Sequence, residues 1–322
     1  MSTILENASN GDLRKATLVC YLPSVWVNNP PGWISELWGS LNAIASAARG
    51  GGCQVVGPDQ GEEWLQQANA NVQSDRVTVV IAILRGGQIN ARIGKECIEQ
   101  LRQQYVAPGA RIAAAIDHDY QVEDALGLLD ADADAVFPHS RLNDTKWLRS
   151  RLSDVVQRSP IQPPLKFDLP WRNTSRENGK LFVAGAASNV RDLHGITEAV
   201  CKDRLPEKAG PIRMHRFGQW DTIFQDCHQL GGAGPVILGL PAPSAPPDTE
   251  PGSPVEPVDA EIAMGLVIAS HLTAMGTPVI CVTPARDPSP VYWRLPWLNC
   301  SGHAYTCRID LAVQLHGWLI GP

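Results

Sequence analysis

Short apolar runs rich in β-branched residues recur through the first half of the chain, separated by stretches with a helical repeat. Continuous runs of this kind are expected where a parallel strand is buried on both faces. Between them, apolar residues recur at intervals of three and four, as on the buried face of an amphipathic helix. This alternation predicts a parallel sheet with helices on both faces. The predicted strands are 17–22, 54–56, 77–84, 111–116 and 135–137.

The second half of the chain repeats this plan. The predicted strands are 180–184, 212–217, 235–240, 278–283 and 304–308, and the predicted helices are 195–202, 222–230, 261–275 and 309–319. The helix from Glu261 is apolar on nearly every side, so we expect it to be buried rather than amphipathic. The predicted fold class is therefore α/β, with two doubly wound, flavodoxin-like domains that each contain a five-stranded parallel sheet.

Two clusters among the 26 prolines suggest where the domains begin and end. The first, in SPIQPPLKFDLP, follows a helical pattern and precedes a new strand; proline cannot continue a helix and favours extended chain, which is typical of a linker. The second cluster, at 241–258, is typical of a lid or an insertion within a domain. We predict a tail at 1–15, a first domain at 16–158, a linker at 159–176, and a second domain at 177–322 with a Pro-rich loop at 241–258.

Composition narrows the class of protein without naming a function. Among 322 residues, 44% are hydrophobic and 19% charged, which excludes disorder as the main state. The net charge of -6, without long runs of one sign, argues against a nucleic-acid partner. No apolar stretch reaches the roughly 18 residues of a membrane span, so we expect no membrane partner and a cytoplasmic location.

The eight cysteines are scattered, without a C-x-x-C pair or histidines at zinc spacing. Most of them lie inside apolar runs such as TLVCYL and PVICV, where a reduced thiol behaves as a small hydrophobic group. We interpret them as core thiols in a reducing compartment, and we predict no metal site and no cofactor.

The stretch 130–156, which contains DADADAVFPHS, resembles the last strand and helix of a response-regulator receiver domain. A receiver needs carboxylates after its first strand to hold Mg²⁺ and an aspartate after its third strand to accept phosphate. Here the first strand ends YLPS at 21–24, and the third leads into LRGG at 84–87, without a carboxylate at either place. His139 takes the usual lysine position. We therefore predict an inactive receiver-like module that serves recognition or assembly.

Two loops of this first domain have a second reading. Gly86-Gly87 is typical of a turn, and the alternative is a close approach to a phosphate. The sequence Asp117-His118-Asp119 is typical of a solvated loop after a strand, and the alternative is metal binding. We favour the turn and the solvated loop.

Chemistry is easier to argue in the second domain. The strand LFVAGAAS opens into small residues before a helix, as at ligand sites of doubly wound sheets. Asp259 and Glu261 then begin a helix that returns through GTPV at 276–279 into a strand. Over about residues 178–320 this arrangement resembles the nucleoside 2-deoxyribosyltransferase family, whose relatives include nucleotide N-glycosidases and TIR domains.

The resemblance implies a reaction and residues for it. Glu261 is the nucleophile that attacks the anomeric carbon, Asp259 orients it or serves the leaving base, and Asn299 matches an asparagine that family members lend to a neighbouring subunit. Such a protein takes a nucleoside or nucleotide, with NAD as one possibility, and is a homo-oligomer. A glutamate in a first helical turn is also favoured in its ionised form by the helix dipole.

Further substrate-binding candidates lie where the predicted strands end. They are Gly185, Ser188, Asn189, Arg191, Asp192, Trp220 and Asp221. Turns rich in Ser, Asn and Asp are equally typical of helix capping, and a tryptophan at a helix start is equally typical of packing.

The pair Asp259 and Glu261 has an ordinary reading as well, because many helices begin with an aspartate cap followed by a glutamate. The alternative function is accordingly a non-catalytic nucleotide-binding or scaffold module in signalling or defence.

Overall fold

The computed structural model divides the chain into two compact units, Met1–Ile161 and Gln162–Gly321. The structure describes residues 12–48, 53–70, 77–104, 110–157, 181–186, 189–204, 212–229, 236–241, 260–277, 279–284 and 301–320. The predicted linker at 159–176 lies outside these ranges, and so does the predicted Pro-rich loop except for Pro241.

The N-terminal unit contains one five-stranded sheet in which every neighbouring pair of strands is parallel. The strand order is β2-β1-β3-β4-β5. The three interior strands, β1, β3 and β4, are almost completely buried because apolar side chains alternate onto both covered faces. The strands are β1 (Ala16–Tyr21), β2 (Gln54–Val56), β3 (Val77–Leu84), β4 (Arg111–Ile116) and β5 (Ala135–Pro138).

Five α-helices cover this sheet within the described residues. They are α1 (Ile34–Ala47), α2 (Gly61–Ala70), α3 (Gln88–Gln104), α4 (Val122–Asp130) and α5 (Thr145–Gln157). The first and last helices pack against each other, and α3 packs against α4. Right-handed crossovers place α1 and α5 on one face of the sheet and the remaining helices on the other.

The C-terminal unit has the same strand order, β10-β9-β8-β6-β7, and again only parallel pairs. Helix α6 packs against α9 on one face, whereas α7 and α8 share an apolar core with the opposite face. The strands are β6 (Phe182–Gly185), β7 (Arg213–Arg216), β8 (Val236–Gly239), β9 (Val279–Pro284) and β10 (Ser301–Tyr305). The helices are α6 (Val190–Cys201), α7 (Trp220–Gln229), α8 (Ala260–Ala274) and α9 (Arg308–Leu319).

The predicted fold class is confirmed: the protein is α/β, with two flavodoxin-like units that each contain a five-stranded parallel sheet. All ten predicted strands are present, and the largest error in position is at β10, predicted at 304–308. The chain turns at Thr306 because the Asp310 carboxylate accepts a hydrogen bond of 2.9 Å from its backbone amide, and α9 begins two residues later.

The expectation that α8 is buried on all sides is wrong. Ile262, Ile268 and Leu272 face the core, but Met264 and Val267 are 40% and 53% exposed. Gly265 brings the helix onto Phe217, because a Cβ there would lie 2.9 Å from that ring. One face of α8 is thus fixed to the sheet while its opposite, equally apolar face is exposed.

The buried cysteines fit the prediction of core thiols. Cys20, Cys97 and Cys201 are buried and free, and Cys281 is buried as well. Burial raises the pKa of Cys20, Cys97 and Cys201 to about 12, because a thiolate loses hydration there. No helix within the described residues has the length and apolar character needed to cross a membrane.

Candidate functional site

The carboxyl ends of β6 and β8 form the switch point of the C-terminal sheet. The chain leaves β6 toward β7 and leaves β8 toward β9, in opposite directions along the sheet. Doubly wound proteins bind ligands in the crevice that this reversal opens. Gly185 ends β6, Gly239 ends β8, and the two glycines are paired in register.

The side chain of Asn189 lies between these glycines. Its Nδ2 donates a hydrogen bond of 3.0 Å to the carbonyl of Leu240, whereas its Oδ1 is buried and has no hydrogen-bond partner among the residues that the structure describes. A Cβ would lie 3.0 Å from Oδ1 if placed on Gly185 and 3.2 Å from it if placed on Gly239. Small residues at both strand ends therefore make room for this amide, whose oxygen is a buried acceptor without a donor in the described part of the chain.

Glu261 lies in the first turn of α8, where the positive end of the helix dipole stabilises a carboxylate. Its side chain is exposed. One turn later, a Cβ on Gly265 would clash with the side chain of Leu240. The start of α8 thus packs on Leu240, the residue whose carbonyl also binds Asn189, so Glu261 begins a helix beside the crevice.

Two other candidates on α6 have a different environment. Arg191 is exposed, and Asp192 forms an ion pair of 2.9 Å with Nε of Arg308 on α9. The pKa of Tyr305 is raised to about 12, mainly by burial and further by the charge of Asp192. Asp192 therefore joins α6 to α9, on the side of the sheet opposite α8.

Trp220 and Asp221 begin α7 after the edge strand β7. Trp220 is 50% exposed, and its ring packs edge-on against Phe224 with 5.9 Å between centroids. Asp221 is exposed in the first helical turn. Trp220 thus packs against Phe224, as the packing interpretation expected, while half of its surface remains accessible. The candidates Ser188, Asp259 and Asn299 lie outside the described residues.

Sequence reasoning missed a charged cluster beneath α7. His215 is buried and stacks on Phe182, and its Nε2 lies 3.3 Å from Oδ2 of Asp226. The same carboxylate accepts a hydrogen bond of 2.7 Å from Arg213. Burial lowers the pKa of His215, with Asp226 acting in the opposite direction. The period of two between Arg213 and His215 on β7 was the available signal, because it places both side chains on one face.

The carboxyl edge of the N-terminal sheet corrects one expectation. Asp117 is buried rather than solvated, and its Oδ1 accepts hydrogen bonds of 2.8 Å from the amide of Gly86 and 3.1 Å from that of Asp119. His118 and Asp119 are exposed, as expected of a solvated loop. The favoured reading of Gly86-Gly87 as a turn agrees with the positive φ of Gly87, which is 90°.

The rings of His118, His139 and Trp33 lie one after another beside this loop. The His139 ring lies 5.9 Å from that of His118 and 6.0 Å from that of Trp33, and its Nε2 is 3.9 Å from a carboxylate oxygen of Glu36. In the part of the chain that the structure describes, no three His, Cys, Asp or Glu side chains are placed to hold a metal ion.

Comparison of the chain with protein-family models and with curated proteins finds no match.

Proposed function

We propose that the C-terminal unit binds a nucleoside or nucleotide in the crevice between β6 and β8 and hydrolyses or transfers at its N-glycosidic bond. One observation carries the proposal: Asn189 and the first turns of α8 meet at Leu240, beside the paired glycines at the switch point. A buried carbonyl oxygen without a partner, small residues and a helix N-terminus with a glutamate are thereby combined at one edge of the sheet.

The chemistry assigns one step to each group. A Glu261 carboxylate oxygen forms a bond to C1′ while the bond from C1′ to the base nitrogen breaks, and its electron pair leaves with the base. The departing base takes a proton, for which Asp259 is the proposed donor. Water or an acceptor base then attacks C1′, gives its proton to the Asp259 carboxylate and displaces Glu261, which restores both carboxyl groups. Oδ1 of Asn189 accepts a hydrogen bond from a sugar hydroxyl or a base amine.

A non-catalytic nucleotide-binding or scaffold module in signalling or defence is the second candidate. It is favoured by the way the Asn189 amide occupies the space between Gly185 and Gly239 and is already bonded to Leu240. A site of that kind recognises a ligand through one acceptor and the exposed face of Trp220. The N-terminal unit, read as an inactive receiver-like module, fits the same class.

The two candidates separate in a single set of measurements. Release of free base, or of nicotinamide from NAD, is followed by chromatography for the full-length chain, Glu261→Gln and Glu198→Gln. Glu198, exposed on α6 and 3.4 Å from His194, provides the matched control substitution. We expect Glu261→Gln to lose at least about 100-fold in turnover while Glu198→Gln stays unchanged.

Thermal-shift measurements with the same ligands complete the test. A ligand that binds only the folded state raises its stability. If Glu261→Gln loses turnover but is still stabilised by the ligand, the carboxylate serves catalysis rather than binding. Equal turnover by the variant and the wild type contradicts the enzyme proposal. Stabilisation of the wild type without product supports the binding module.

A further inference from the structure

The exposed face of α8 has the spacing of a helix-pairing seam. Met264, Val267, His271 and Ala274 are all exposed and follow one another at intervals of three, four and three residues. Such intervals place side chains in one stripe along a helix, as at the a and d positions of a coiled coil. Lys, Arg, Asp and Glu are absent from the stripe, which is unusual for a helix face in water.

Aromatic rings of α7 continue this stripe. The His271 ring lies 5.5 Å from that of Phe224, which in turn lies 5.9 Å from that of Trp220. Together with Met264 and Val267 these rings form one apolar surface, which we call the α7–α8 face. Contiguous apolar surfaces of this kind mark interaction sites on soluble proteins.

The polar groups at the rim of this face differ between its two ends. Both helices follow strands of a parallel sheet, so both begin at its carboxyl edge. Asp221 and Glu261 are exposed there, in the first turns of α7 and α8. The imidazole of His271 is exposed in the last turn of α8. A copy of this face turned end for end therefore offers an imidazole to the carboxylates and carboxylates to the imidazole.

We propose that the α7–α8 face binds a second copy of this chain, with the two α8 helices antiparallel about a two-fold axis. The axis passes between Met264 and Val267, so that Met264 of each copy packs on Val267 of the other. The same register places His271 beside the first turn of the other α8. Antiparallel helix dipoles and the two carboxylate–imidazole contacts favour this partner over a surface that offers only one of these groups. The inference does not depend on the proposed catalysis.

The oligomeric state of the full-length chain tests the proposal, measured by sedimentation equilibrium over a range of concentrations. We expect a dimer for the wild type and at least about a 100-fold weaker association for Val267→Glu, because symmetry places the change in the interface twice. Val27→Glu is the matched control, since Val27 of the N-terminal unit is 54% exposed against 53% for Val267. This control is expected to dimerise like the wild type.

A mixing experiment tests the register. Met264→Lys alone and Val267→Glu alone are both expected to be monomers. Mixed in equal amounts they form a heterodimer, because the introduced lysine of one chain faces the introduced glutamate of the other while the remaining methionine and valine stay paired. Recovery of the dimer in the mixture, and in neither variant alone, supports the antiparallel arrangement.

Several outcomes overturn the proposal. A wild-type chain that stays monomeric at the highest concentration shows that the face binds no second copy, and a dimer that survives in Val267→Glu shows that another surface forms it. Circular dichroism and thermal melting verify that each variant is folded. If the glutamate unfolds the unit, Val267→Ser replaces it, and unchanged association of that folded variant contradicts the interface.

Discussion

The two units share one strand order but use the carboxyl edge of the sheet differently. In the N-terminal unit, the Asp117 carboxylate binds the amide of Gly86 and closes the loop after β3. In the C-terminal unit the loop after β8, the strand equivalent to β3, is instead bonded by the Asn189 amide, which follows β6; its Nδ2 is bonded to Leu240, and its Oδ1 has no partner among the described residues. A carboxylate oxygen that accepts two backbone hydrogen bonds fixes a loop, whereas a buried acceptor without a donor is the group that the proposed ligand would bind.

The comparison also separates residues that stabilise the protein from residues that serve a site. In the first unit both backbone bonds of Asp117 hold the loops after β3 and β4. In the second, Asp192 pairs with Arg308, and Asp226 lies beside His215 and Arg213, whereas Asn189 and Glu261 are the residues proposed to meet a ligand.

Among the substitutions that test this comparison, Gly86→Ala is expected to change the free energy of unfolding most. A Cβ there would lie 2.5 Å from the carbonyl carbon of Asp119 and would clash with the Asp117 carboxylate, so the loop must move. We expect the free energy of unfolding of the N-terminal unit to fall by about 3 kcal/mol, measured by urea denaturation. Gly127→Ala is the control, because a Cβ at Gly127 in α4 has no neighbour within 4 Å. It is expected to raise stability by up to about 1 kcal/mol; equal loss in both variants contradicts the steric argument.

Asp117→Ala and Asn189→Ala sharpen the contrast at the two edges. Asp117→Ala removes the acceptor of two backbone hydrogen bonds at a buried position, which is expected to cost about 2 kcal/mol in the N-terminal unit. Asn189→Ala removes one neutral bond and relieves a buried unsatisfied oxygen, so its cost is expected to be about 1 kcal/mol or less. Only Asn189→Ala should abolish the thermal shift given by nucleosides. The same ligand response in both variants would remove the functional distinction between the edges.

His215 gives the smallest expected effect, a dependence of stability on pH. Burial lowers its pKa in the folded state, so the unfolded chain binds the proton more readily. The stabilising effect is fully present above the unfolded pKa of about 6.5 and is lost as the pH falls below it toward the lowered folded value. His215→Gln should therefore flatten the dependence of the C-terminal melting temperature between pH 7.5 and pH 5.5. His118→Gln, at an exposed position, should leave that melting temperature unchanged at both pH values.

Much of this fold was predictable from local pattern. The run Val77–Leu84 was predicted to the residue, because continuous β-branched sequence has few uses besides a buried strand. The exposed face of α8 was not predictable, since an apolar helix surface does not reveal whether another layer covers it. The edges were not predictable either: Asp117 and Gly86 are 31 residues apart, and Asn189 and Leu240 are 51 residues apart. Asn189 was recognised as a turn residue before a helix, yet its side-chain bond is to another strand end.

The buried thiols described above can serve as probes of local unfolding in each unit. Thiol reagents attack the thiolate, and with the pKa of Cys20, Cys97 and Cys201 raised to about 12 almost none is present in the closed structure at neutral pH. Labelling of these groups then proceeds through transient openings that return the thiol to water. The labelling rates of Cys20 and Cys97 report on openings in the N-terminal unit, and the labelling rate of Cys201 reports on openings in the C-terminal unit. Mass spectrometry of one labelling time course can thus measure local opening in both units of the same molecule.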